Sequence, residues 1–71
     1  MIKFNDLAAT GKYVISSVSN PVSKFSGMGL IPGNEINVRH ISKRLIRFDI
    51  GLTSFFARRC DLEVSLIKIT D

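Results

Sequence analysis

Apolar and polar residues alternate in short runs along this chain, and turn formers bound each run. In "KYVISSVS" (Lys12–Ser19) Tyr13 and Ile15 fall on one face of an extended chain, and Val14 and Val18 fall on the other. Its β-branched content favours a strand. Asn20-Pro21 then breaks the run, because Asn suits a helix N-cap and Pro the first helical position. "PVSKFSGM" (Pro21–Met28) therefore predicts a helix of about two turns, with Val22 and Phe25 on its inner face and Gly29 as the left-handed residue that stops it.

Pro32-Gly33 fits the central pair of a type II turn, since Pro fixes φ and Gly accepts a positive one. "EINVRHIS" (Glu35–Ser42) alternates Ile36 and Val38 against Asn37 and Arg39, then slips at His40-Ile41, which predicts a bulge or bend. "RLIRFDI" (Arg44–Ile50) sets Ile46, Phe48 and Ile50 against Leu45, Arg47 and Asp49. Gly51 can turn the chain into "LTSFFARR". "CDLE" predicts one tight turn before a last strand, "VSLIKIT".

This order predicts a single all-β domain over residues 1–71. The expected fold is a small SH3-like antiparallel barrel of about five strands, with one short helix after the first long strand. Closing the sheet would remove the exposed edges that so small a sheet otherwise presents. An OB-fold would want longer strands and a later helix.

Composition limits what can stabilise such a domain. One cysteine, Cys60, permits no internal disulfide, and one histidine, His40, leaves no Cys/His cluster for a structural zinc. No metal and no cofactor is expected, and stability must come from packing, which 45% hydrophobic residues can supply. A lone cysteine suits a reducing compartment. No apolar run approaches the roughly 18 residues of a membrane span. The N-terminal "MIKFNDLAAT" lacks the apolar run of a signal peptide. The cytoplasm is the expected location.

The sequence offers no catalytic constellation. His40 lies among Arg39 and Lys43 at a strand irregularity, a setting typical of a surface side chain, and Asp6, Glu35, Asp49, Asp61 and Glu63 are scattered. No enzyme activity is expected. "GMGLIPG" is not a phosphate loop, because its glycines follow the predicted helix and no Lys sits among them. "RHISKRLIR" is the densest positive stretch, with Arg39, Lys43, Arg44 and Arg47 beside His40 in a chain of net charge +4. It suits nucleic acid or an acidic protein face. The competing reading is a hairpin tip kept soluble by charge. Base stacking would need exposed aromatics, and Phe48 and one of Phe55 and Phe56 are expected in the core.

Taken together, "GMGLIPGNEINV" resembles the signature of the FeoA family, small SH3-like proteins of bacterial ferrous iron uptake. The matching residues are Met28, Gly29, Leu30, Pro32 and Gly33, followed by Ile36 and Val38. "FFARRCDLEVSLIKI" is similar to the family's last strands through Ala57, Arg58 and Leu62, and Leu7 and Gly11 resemble its opening. The chain departs from the family in a short helix segment, a tight hairpin at "SKRL" and a longer step from Leu62 to the last strand.

The resemblance implies a non-catalytic accessory protein that binds the cytoplasmic G-protein domain of a FeoB-like membrane iron transporter, and so lies in the cytoplasm or peripheral to the inner membrane through that partner. With no helix-turn-helix segment before the domain, a stand-alone protein is expected. Met28 and the basic residues Arg39, Lys43, Arg44 and Arg47 are the candidate partner contacts. Gly29, Leu30, Pro32 and Gly33 are the structural motif, with Leu30 expected in the core. The alternative function is a nucleic-acid-binding barrel using the basic hairpin 39–47.

Overall fold

A computed structural model of the chain describes residues 1–19 and 29–69. Six strands form one antiparallel sheet: β1 (Ile2–Lys3), β2 (Gly11–Val18), β3 (Glu35–Ile41), β4 (Leu45–Ile50), β5 (Thr53–Arg58) and β6 (Val64–Lys68), in spatial order β1-β6-β2-β3-β4-β5. The fold is thus the small all-β, barrel-like domain expected. The two-residue β1 and a 3₁₀ turn at Phe4–Asp6 add to the elements anticipated from sequence. The helix expected at Pro21–Met28 lies outside the described residues.

The sheet rolls around one core. Phe4, Leu7, Tyr13, Ile15, Ile36, Val38, Ile46, Phe48, Ala57, Leu62, Val64 and Leu66 are buried, and no polar or charged residue is buried among the described residues. Phe4, next to β1, meets Phe48 of β4 edge-to-face with ring centroids 5.6 Å apart. Those strands lie far apart in the sheet order, so the contact requires the sheet to curl.

The curl is closed by a side chain where no ladder closes it. Among the described residues β1 pairs only with β6, and β5 only with β4. Arg59, just past β5, donates from Nη1 to the carbonyls of Asn5 (3.0 Å) and Leu7 (2.9 Å), and from Nε to the carbonyl of Ser42 (3.1 Å). The planar guanidinium suits this work, because it holds several donors in a fixed fork. Ser42 can offer its carbonyl because its own hydroxyl accepts the Leu45 N–H that a tight hairpin would otherwise direct there.

Two bulges decide which residues face inward. In β2 the register with β6 shifts between Ile15 and Ser17, so Ser16 is the extra residue. Val18 consequently pairs with Val64 and packs against the core. This corrects the expectation that Val18 shares a face with Val14: unbroken alternation puts them together, and the bulge reverses the phase between them. In β3 the shift falls between Val38 and His40, making Arg39 the extra residue. The predicted slip is real, one residue earlier than the point where the alternation visibly fails.

The turns follow their residues. Gly33 has φ 97 and the Asn34 N–H donates to the Ile31 carbonyl at 3.1 Å, giving the type II turn that Pro32-Gly33 predicts. At the β4–β5 hairpin Gly51 has φ 61 while Leu52 keeps a negative φ, which is the type II′ pattern that matches strand twist.

Candidate interaction surface

The outward faces of β3, β4 and β5 gather most of the chemistry that the sequence singled out. Cross-strand pairs place His40 beside Arg47 and Arg47 beside Phe56, so the three form one row across the sheet. The bulge at Arg39 is what turns His40 outward and Ile41 inward. The next pair on the same face is Leu45 with Arg58. Phe56 is 67% exposed and Leu45 is 45% exposed. Phe55, one residue earlier, points the other way and stacks on Phe48 at 5.7 Å. Of the phenylalanine pair, Phe55 thus joins the core and Phe56 faces solvent.

The charges on this face differ in how they are engaged. Arg39 Nε lies 3.4 Å from Asp49 Oδ2, and Asp49 also accepts from the Ser54 hydroxyl at 2.7 Å. Arg58 Nε donates to Asp61 Oδ2 at 3.0 Å, and this hydrogen bond, with the carboxylate's charge, raises the guanidinium pKa. Both pairs are open to water and add little stability. Arg47 lies over the Phe56 ring, 5.7 Å from its centroid. No carboxylate among the described residues pairs with Lys43, Arg44 or Arg47. Lys43 and Arg44 occupy the tip of the β3–β4 hairpin, where Ser42 N–H donates to the Leu45 carbonyl at 2.8 Å.

The glycine-rich turn and the tip of the basic hairpin lie apart. Gly29, Leu30, Pro32 and Gly33 precede β3, and Lys43 and Arg44 follow it, so the seven-residue strand separates them by roughly 20 Å. Met28 lies outside the described residues. Leu30 packs against the core half-buried, as expected, and Ile31, 58% exposed, is the apolar side chain this turn presents to solvent. Gly29 has φ 82, and its carbonyl accepts from Ile31 N–H and from the Asn34 side-chain amide.

Sequence reasoning missed Leu45 and left open which phenylalanine of the pair is exposed. The alternation of β5 around buried Ala57 carries that information, since Phe56 must face opposite to its neighbour. Among the described residues no group of three or more His, Cys, Asp and Glu could hold a metal ion, and no helix is long and apolar enough to cross a membrane. No protein-family model, curated protein or solved structure matches the chain.

Proposed function

We propose that this protein is a FeoA-like accessory protein of bacterial ferrous iron uptake, acting by binding the cytoplasmic G-protein domain of a FeoB-like transporter and performing no chemistry of its own. The observation that carries the reading is the geometry of the segment from Gly29 to Gly33. Its two glycines sit at φ 82 and φ 97, Pro32-Gly33 makes a type II turn and Leu30 packs on the core. The residues that resemble the family signature are thus the ones a small barrel of this form needs in order to enter β3. An accessory protein of this kind works in the cytoplasm, at the inner membrane only through its partner. The test is co-purification of the full chain with the soluble G-protein domain of the ferrous iron transporter from the same genome, with and without guanine nucleotide. Failure to associate in either state removes the assignment.

One observation favours the second reading, a nucleic-acid-binding barrel. Phe56 is exposed beneath Arg47, a pairing that single strands use for stacking and charge. That reading requires submicromolar filter binding at physiological salt with a steep loss as salt rises.

A further inference from the structure

We infer that the outward face of β4 and β5, with the β3–β4 hairpin tip, is a docking surface for an acidic protein segment that carries an apolar side chain. The inference rests on the proposed role as a protein-binding accessory and names the surface for it.

Three features of the face point to that partner. Its centre is apolar and open: Leu45 and Phe56 are diagonal neighbours on adjacent strands, and both project from the sheet. Exposed apolar side chains rimmed by charge are what a partner covers, and an aromatic residue at the centre is the usual anchor. Its rim is positive and uncompensated: Lys43 and Arg44 at the tip and Arg47 in the row pair with no carboxylate among the described residues. A partner carboxylate would find a donor there without displacing an existing ion pair, which steers and orients an acidic segment. Arg47 is already laid against Phe56, so little side-chain freedom remains to be lost when both are covered.

The same face suits a nucleic-acid strand less well. Asp49 stands at one end of β4, and Asp61 lies beside Arg58 at the other end of the patch. A phosphate chain running along the strands carries charge at every nucleotide and would pass one of these carboxylates. A protein segment can place its acids only opposite the bases. Stacking also favours successive aromatic platforms, whereas the neighbour of Phe56 here is aliphatic Leu45. A second copy of the chain would bring Arg47 and Arg58 against their own counterparts.

The test is a titration of the uniformly ¹⁵N-labelled full chain, read by amide chemical shifts. One arm adds the soluble cytoplasmic domain of the ferrous iron transporter, and another adds a twelve-nucleotide oligothymidylate. A dilution series of the chain alone is the third. The expected result is saturable shifts with the transporter domain, confined to the amides of residues 43–47 and 54–58. Phe56→Ser and Arg47→Glu should each weaken that binding tenfold or more while keeping a dispersed, folded spectrum. Ile67→Ser, at an exposed apolar position on β6, should leave it unchanged. Binding whose shifts fall on other strands, or that is indifferent to both substitutions, overturns the surface and leaves the accessory role standing. No binding of the transporter domain removes the accessory role, and the docking inference falls with it. Shifts of this face by the oligonucleotide alone, or by concentration alone, make it a nucleic-acid or self-association surface and overturn the inference.

Discussion

Arg59 donates a hydrogen bond from its guanidinium to the carbonyl of Leu7 at 2.9 Å, linking residues 52 positions apart across the open seam of the barrel. The same group reaches Asn5 and Ser42, so one side chain holds the N-terminal 3₁₀ turn, the end of β5 and the β3–β4 hairpin together. Arg59→Ala should cost about 2–3 kcal/mol, the range for losing charge-assisted bonds to carbonyls that remain partly shielded. Arg59→Lys should recover less than half of that, because an ammonium cannot reproduce the fork. Urea unfolding followed by circular dichroism measures both. Full recovery of wild-type stability by Arg59→Lys would mean that charge, and not geometry, closes the seam.

The bulge in β3 makes an unusual deletion tolerable. Removing a residue inside a strand normally flips every side chain beyond it to the wrong face. Removing Arg39 restores strict alternation instead: Val38 stays opposite Phe48, His40 opposite Arg47 and Ile41 opposite Ile46. The deletion variant should keep its strand spectrum and lose about 1–2 kcal/mol, mostly through local twist and the exposed Arg39–Asp49 pair. Deleting Val38 should unfold the protein. Thermal melts of the two variants give the comparison, and similar behaviour would contradict a bulge at Arg39.

These two residues also mark what the sequence could and could not reveal. The alternation of Ile46, Phe48 and Ile50 was readable because β4 has no bulge, and Pro32-Gly33 was readable because turn chemistry is local. The inward turn of Val18 was misread because the bulge at Ser16 leaves no mark among similar hydroxyl residues. Arg59 carries no signal in the sequence, since its partners are backbone carbonyls that no side-chain pattern announces. On the candidate surface the basic residues were visible at once. Their separation from the glycine-rich turn depends on strand direction, which only the fold supplies.

Gly29 and Gly33 should respond differently to the same substitution. Both have positive φ, so alanine is strained at either site. A Cβ at Gly33 meets nothing within 4 Å, whereas at Gly29 it would come within 3.3 Å of the Ile50 side chain. Gly33→Ala should lose about 1–2 kcal/mol from backbone strain alone. Gly29→Ala should lose more, and chemical denaturation of the pair should rank them in that order. The reverse order would place the strain elsewhere.

The aromatic residues on either side of the sheet should separate stability from binding. Phe48 is fully buried between Phe4 and Phe55, so Phe48→Ala should cost about 3–5 kcal/mol. Phe56 gives up little on removal, and Phe56→Ser should stay within about 1 kcal/mol of wild type. Calorimetric melting of each variant tests this, and a large loss at Phe56 would show that the outer face contributes to the fold.

The pairing of β1 with β6 matches Ile2 to Leu66, so residues near the two ends of the sequence lie side by side. During synthesis β1 therefore waits for β6, and the core that contains both Phe4 and Leu66 cannot be completed while β6 is still in the ribosome. Until then Phe4 and Leu7 lack the part of the core that β6 supplies. Such distant pairing slows folding in isolation as well, because loop closure must precede the contacts that stabilise it. Emergence of Leu66 with the rest of β6 thus acts as the release signal for assembly of this barrel.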